Sequence, residues 1–242
     1  MRNPPMKRIS RWILPIFVSL GVATGACRTV GSPGDAKADH TPDKAATQAG
    51  ASAAANKVKL GTDPGGVGKG TPLAPREGNE LAVFAGGCFW GTEDLFRQVP
   101  GVVATAVGYT GGKTTAPTYE DVCTHTTGHA EAVIVEFDPK KVSYDGLLAT
   151  FFKAHDPTTL NRQGPDVGDQ YRSAVFTFSD EQDRIARAAI AREQTQRTKS
   201  VVTRVSRVGA FWKAEEYHQQ YDEKSGTHSC PLPSMAGLPS DT

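Results

Sequence analysis

The sequence predicts an α+β fold in which helices pack on a mixed or antiparallel sheet. Three observations lead there. From residue 80 onward, short apolar runs of strand length alternate with amphipathic stretches of helix length. Several connections between them are too short or too irregular for a regular doubly wound sheet. The chain has 242 residues, room for one ordinary domain with extensions.

The elements follow in order. Residues 81–85 (Leu-Ala-Val-Phe-Ala) form an apolar run that reads as a buried strand. Gly86 and Gly87 break it, and a helix is expected over 92–98, with Glu93 and Asp94 at its front as the helix macrodipole favours. Residues 102–109 alternate like a strand and end at Gly111-Gly112. A loop carries Tyr119 and Cys123, and a second leads to Gly128-His129-Ala130-Glu131. A strand over 132–137 is stopped by Asp138-Pro139. Ser143 then caps a helix whose Leu147, Leu148, Phe151 and Phe152 make one apolar face, closed by Asp156-Pro157. A polar loop over 161–170 precedes a strand over 171–178. Ser179 opens a helix to about residue 198, with Ile185, Ala189 and Ile190 facing inward. Residues 201–208 read as a half-buried strand, and 214–221 as a short helix before the tail that holds Cys230.

The two ends differ in composition. Residues 1–26 form an export signal: Arg2, Lys7, Arg8 and Arg11, then a short apolar stretch, then small residues. The apolar run falls short of the ~20 residues of a membrane span. Cys27 follows Gly25-Ala26 as in bacterial lipoprotein signals, although Thr24 stands where those usually carry leucine. That resemblance implies lipidation at Cys27 and a periplasmic or membrane-anchored protein of a bacterial envelope, attached to the membrane only through its lipid. Residues 27–78, rich in Ala, Gly, Thr, Pro, Lys and Asp, read as a flexible disordered tether. The compact domain is then 79–230, and 231–242 a disordered tail. A net charge of +1 with scattered basic residues excludes a nucleic-acid footprint. Four cysteines make no disulfide scaffold, and without a C-x-x-C pair no zinc site is expected.

The chemistry points to Cys88. At a strand-to-helix turn, unpaired backbone N–H groups face its sulfur, a setting in which a thiol readily loses its proton. Phe89 and Trp90 follow directly as an apolar wall. A buried core thiol is the bland alternative; the double glycine weighs against it by bringing backbone close to the sulfur. Taken singly, Glu131 is a solvated strand-edge acid, Tyr119 and Tyr171 are rim residues, Asp166 is a turn residue, and Cys230 a stray tail thiol. His129 and Cys123 read as structural.

Seven stretches change those odds: Gly87-Cys88-Phe89-Trp90-Gly91, Gly108-Tyr109-Thr110-Gly111-Gly112, Tyr119-Glu120-Asp121-Val122-Cys123, Thr127-Gly128-His129-Ala130-Glu131-Ala132-Val133, His155-Asp156-Pro157, Asp166-Val167-Gly168-Asp169-Gln170-Tyr171-Arg172-Ser173 and Tyr217-His218-Gln219-Gln220-Tyr221. In that order they resemble the A-type peptide-methionine (S)-S-oxide reductases. The resemblance implies a two-layer core related to split β-α-β (ferredoxin-like) folds, and reduction of methionine (S)-sulfoxide, free or in oxidised proteins. It casts Cys88 as nucleophile and Glu131 as proton donor. Tyr119, Tyr171 and Asp166 form the polar network around the sulfoxide oxygen, and Phe89 and Trp90 the S-methyl pocket. Cys230 becomes the resolving cysteine. It implies no cofactor beyond an external, thioredoxin-like dithiol, and a monomer. One recycling cysteine stands where some members carry two, so a single-disulfide relay is implied, with no step for Cys123.

The chemistry sets two demands. A sulfoxide oxygen leaves only if protonated, and a positioned acid contributes about 10²–10⁴-fold. Glu131 must therefore be enclosed, because burial raises a carboxyl above its usual value of about 4.3. Lowering a thiol from about 8.5 to about 7 takes roughly 2 kcal/mol. A helix terminus usually supplies about 0.3–1 kcal/mol, so proton transfer on substrate binding is a plausible supplement. Two other readings compete: a cysteine hydrolase or acyltransferase pairing Cys88 with His129, and a non-catalytic lipoprotein that binds through Phe89 and Trp90.

Overall fold

A computed structural model describes residues 60–67 and 73–226. The elements are β1 (Glu80–Gly86), α1 (Phe89–Arg97), β2 (Val102–Thr110), α2 (Tyr119–Cys123), β3 (Ala130–Phe137), α3 (Tyr144–Ala154), β4 (Arg162–Gln163), β5 (Asp166–Val167), β6 (Ser173–Thr177), α4 (Asp180–Thr195), β7 (Arg204–Arg207), β8 (Trp212–Lys213) and α5 (Tyr221–Ser225). Six strands form one sheet in the order β7-β6-β1-β3-β2-β8, antiparallel except for the parallel β6–β7 pair. β4 and β5 form a separate hairpin. This is the mixed sheet with packed helices that the alternating pattern predicts.

The pleat sorts side chains to two faces. Phe84 of β1, Val133, Val135 and Phe137 of β3 and Val175 of β6 join Phe96, Leu147, Leu148, Phe151 and Ala186 in the larger apolar core, formed with α1, α3 and α4. Leu81, Val83, Ala132, Ile134 and Phe176 join Val67 in a second, smaller core on the other face. The caps read from sequence are present: the Ser143 and Ser179 hydroxyls accept from the Gly146 and Gln182 N–H groups.

Several boundaries differ from expectation. α1 begins at Phe89, so Glu93 and Asp94 lie in its second turn rather than at its front. Glu93 is buried, accepting from the Gln220 backbone N–H, the Gln220 side-chain amide and the Thr105 hydroxyl. The helix expected over 214–221 is instead a 3₁₀ turn, Glu216–His218, followed by α5, with Gln220 between them in the left-handed region at φ 48°.

The tether ends earlier than its composition suggests. Residues 60–67 and 73–78 pack on the domain: Gly61 bridges Ala104 of β2, and Val67 is buried in the second core. The anchor is Glu136, fully buried on β3, whose carboxylate accepts from the Gly65 and Arg76 backbone N–H groups, the Arg76 guanidinium and the Asn79 amide. A polar clasp holds a segment whose composition carries little apolar signal. The export signal, Cys27, Cys230 and the tail over 231–242 lie outside the described residues.

Candidate active site

Gly86 and Gly87 bring the end of β1 close to its neighbours. A Cβ at Gly86 would lie 2.9 Å from the Phe151 ring, and Gly87 has φ +111°, where a Cβ would also meet the Gln163 side chain at 2.7 Å. The chain can then turn into α1 with Cys88 as its N-cap residue. Cys88 is half-buried and in no disulfide. The Thr92 hydroxyl donates to the Cys88 carbonyl and fixes the first turn.

Glu131 reaches this helix start from β3. Its odd-numbered position directs it to the helix face of the sheet, where it is 2% exposed. The Phe89 N–H, first of the helix, donates to its Oε2 at 3.1 Å, the hydrogen bond that holds the carboxyl beside Cys88. Burial pushes the Glu131 carboxyl up to about 8; the Phe89 N–H opposes the rise and the Asp166 charge adds to it. At pH 7 the protonated acid outnumbers the carboxylate by about ten to one.

Tyr119, Tyr171 and Asp166 converge on the same place. Burial, then the charges of Glu131 and Cys88, hold the Tyr119 hydroxyl well above the ordinary tyrosine range. Burial and the neighbouring Glu131 do the same for Tyr171. Both remain O–H donors at any physiological pH. Asp166, on the β4–β5 hairpin, is half-buried, and burial raises its carboxyl too.

The aromatic wall is organised by a residue that sequence reasoning left without a role. His218 is buried against Phe89 (ring centroids 5.1 Å), Trp90 (5.6 Å) and Tyr119 (4.6 Å). The Trp90 indole N–H donates to its Nδ1 at 3.1 Å, and burial lowers its pKa to about 4, so the ring is neutral and able to accept. Trp90 also stacks on Tyr221 at 3.9 Å, with the planes 11° apart. Glu215 ties the wall to the network, accepting from the Tyr109 hydroxyl at 3.0 Å and the Tyr119 N–H at 2.9 Å.

A model of the family described as peptide methionine sulfoxide reductase matches residues 80–238. The chain belongs to that family. Among its relatives is peptide methionine sulfoxide reductase MsrA of Methanoculleus marisnigri, 55% identical over 161 residues, covering 65% of this chain and 98% of the relative. The corresponding protein of Geobacter sulfurreducens is 54% identical, covering 62% of this chain and 94% of its own. Of solved structures, reduced Mxr1 from Saccharomyces cerevisiae superposes with a TM-score of 0.62 at 35% identity, covering 64% of this chain and 91% of that one. Methionine sulfoxide reductase A of Corynebacterium diphtheriae gives 0.59 at 33% identity, covering 76% and 92%. The protein is thus a peptide-methionine (S)-S-oxide reductase with the α+β fold of its relatives.

Within this reductase, Cys88, Phe89, Trp90, Tyr119, Glu131, Asp166 and Tyr171 surround one centre. His129 does not serve it: the ring is buried, with Nδ1 accepting from the Gly112 N–H and Nε2 bonded to the Thr114 carbonyl. Both nitrogens are committed to a loop, which removes the base required by a Cys88–His129 hydrolase. Cys123, read from the sequence as structural, is disulfide-bonded. Among the described residues, no group of three His, Cys, Asp or Glu side chains could hold a metal ion. His218, Glu215 and Tyr221 lie within or beside the 217–221 stretch, but their roles come from long-range pairings that local pattern does not encode.

Proposed function

We propose that this reductase works by thiolate attack of Cys88 on the sulfur of methionine (S)-sulfoxide, with Glu131 protonating the departing oxygen. The observation that carries this reading is the Glu131 carboxyl: buried, held at the start of α1 by the Phe89 N–H, and protonated at neutral pH. The acid and the cysteine share one helix terminus, whose dipole favours a thiolate at Cys88.

The other roles follow from placement. Phe89 and Trp90 take the S-methyl group, Trp90 being held by His218 and Tyr221. Tyr119 and Tyr171 donate to the oxygen as it gains negative character, and Asp166 completes the network directly or through water. Attack joins the Cys88 sulfur to the methionine sulfur, whose oxygen leaves as water once twice protonated. A water then attacks the Cys88 sulfur and gives up a proton; the S–S bond breaks, methionine leaves with the electron pair, and Cys88 is left as a sulfenic acid. The Cys230 thiol condenses with it, releasing water and forming a Cys88–Cys230 disulfide, which a thioredoxin-like dithiol reduces. The role is repair of oxidised proteins. Residues 1–26 would direct export, and Cys27 would carry the lipid that anchors the domain to an envelope membrane.

The test offers the purified chain a peptide with either sulfoxide epimer in the presence of dithiothreitol. Reduction of the S epimer only, abolished by Cys88→Ser and by Glu131→Gln in folded protein, is the expected result. Full activity of Cys88→Ser would overturn the reading. Lipid attachment is checked by intact mass of the membrane-extracted protein, with and without Cys27→Ala.

A further inference from the structure

Three residues of α1, lying one above another, hold the same distant segment. Trp90, Glu93 and Arg97 follow one another at helical spacing, which places them along one side of the helix. Trp90 stacks on Tyr221 and donates to His218. Glu93 accepts from the Gln220 backbone N–H and from the Gln220 amide, each at 2.8 Å. The Arg97 guanidinium donates twice to the Glu223 carboxylate, at 3.0 and 2.6 Å. The chemistry described above uses the first of these residues and gives the other two no role.

The middle contact is the buried one. Glu93 is 1% exposed, whereas the Glu223 side chain that Arg97 holds is 60% exposed, where an ion pair contributes little. Glu93 also accepts the Thr105 hydroxyl at 2.9 Å, and Arg97 orients that hydroxyl by donating to its oxygen at 3.0 Å. Gln220, itself buried, stands at φ 48° and ψ 43°. A residue with a side chain persists in that left-handed region only where its surroundings hold it. Gln220 is the joint between the 3₁₀ turn that ends at His218 and the helix that begins at Tyr221. Gln219 is fixed separately, its amide paired with both the N–H and the carbonyl of Val107 on β2. The turn away from β2 therefore falls on Gln220, and its angles set how His218 and Tyr221 meet Trp90.

We propose that Glu93 is a positioning residue of this reductase: by holding Gln220 in its left-handed turn, it lays His218 and Tyr221 against Trp90 and so sets the size of the S-methyl pocket. The proposal rests on the reading of Trp90 as a wall of that pocket. Glu93 acts through Gln220 rather than on the reacting atoms. What it controls is how closely the site fits a methyl group, not the proton at Glu131 or the thiolate at Cys88.

Substrate size tests it. The full-length chain, with dithiothreitol, is given S-sulfoxide peptides carrying methionine or its S-ethyl homologue; kcat and KM are measured for each, with urea unfolding alongside. Glu93→Ala should raise KM for the methyl substrate about tenfold with kcat nearly unchanged. It should also lower discrimination between methyl and ethyl, a difference of one methylene, about tenfold. Glu93→Gln keeps an oxygen for the Gln220 N–H and should restore most of both. Glu223→Ala, which cuts only the exposed contact, should leave both at wild-type values. A Glu93→Ala chain with a lower urea midpoint but wild-type KM and discrimination would make Glu93 a purely structural acid and overturn the proposal. Where Glu93→Ala does not fold, position 220 decides. Gln220→Gly and Gln220→Ala both lose the amide, but only glycine enters the left-handed region freely, so KM should rise less for Gln220→Gly; equal values would overturn the proposal. Trp90→Ala separates the two readings. If that variant keeps wild-type discrimination, the S-methyl pocket lies elsewhere and both fall; if it loses discrimination while Glu93→Ala keeps it, the role of Glu93 alone falls.

Discussion

Two glutamates five residues apart on β3 are both removed from water, yet the fold gives them opposite charge states. Glu131 faces the helix layer and accepts a hydrogen bond from the Phe89 N–H; burial dominates, and its carboxyl rises to about 8. Glu136 faces the other way, into the clasp of the N-terminal segment. Burial pushes it up too, but the Asn79 amide, the Arg76 and Gly65 N–H groups and the Arg76 charge outweigh that and hold it below the usual carboxylate range. Burial alone therefore does not set protonation; the number of donors brought to the carboxyl decides. The sparsely served glutamate is the one the proposed mechanism uses as its acid. The fully served one ties down the chain.

The contrast can be broken at either end. The largest effect is expected from Glu131→Gln, which keeps the shape and removes the proton: methionine formation in a single turnover should fall by about 10²–10⁴-fold with the far-ultraviolet spectrum unchanged. A loss below tenfold would remove Glu131 from the proton transfer. The pH profile is next. Once the Cys88 thiolate is formed, the single-turnover rate should fall above pH 8, by about tenfold per unit as the acid is lost; a flat profile to pH 10 would place the proton source elsewhere.

On the other face the readout is stability. Glu136→Gln leaves at least one buried donor facing an amide, and should cost about 1–3 kcal/mol in urea unfolding while sparing the reduction step at low temperature. Arg76→Ala, at a half-exposed side chain, should cost less, about 0.5–1 kcal/mol. Equal costs would mean that the ion pair, rather than the backbone donors, holds Glu136.

The two glutamates should also pull stability in opposite directions with pH. Glu131, its folded value raised from 4.5 to about 8, contributes most below pH 4.5, and that contribution is lost as pH rises through 8. Glu136, its folded value depressed, contributes above pH 4.5 and loses that contribution as pH falls through its folded value. Because glutamine mimics the protonated carboxyl, unfolding from pH 4 to pH 9 should show Glu131→Gln nearest wild type at the acid end and gaining on it as pH rises, and Glu136→Gln falling further behind wild type over the same rise.

Much of this site is legible in the order of residues. The apolar run before Gly86-Gly87, with Cys88 after it, specifies a strand that turns abruptly into a helix, because glycine permits the turn and the pattern changes period. The alternation along β3 puts Glu131 on the face of Val133 and Val135. Other features are illegible locally. Glu93 looks like a helix-front acid until Gln220, 127 residues away, supplies its donors. The stretch after residue 60 looks like tether because Glu136, rather than an apolar face of its own, holds it down. His218 shows nothing of its role until Trp90 is beside it.

The order of residues alone places most strands and the longer helices, the face of β3 that each side chain takes and the cysteine that starts a helix. These follow from periodicity, glycine freedom and capping, all local properties of the chain. Only the tertiary structure decided that Glu131 is protonated and Glu136 is not, that His218 is neutral and holds Trp90, and that Cys123 is in a disulfide while Cys88 is not. Charge state and sulfur pairing depend on how much water is excluded and on which distant groups arrive, and both are set when the chain closes on itself.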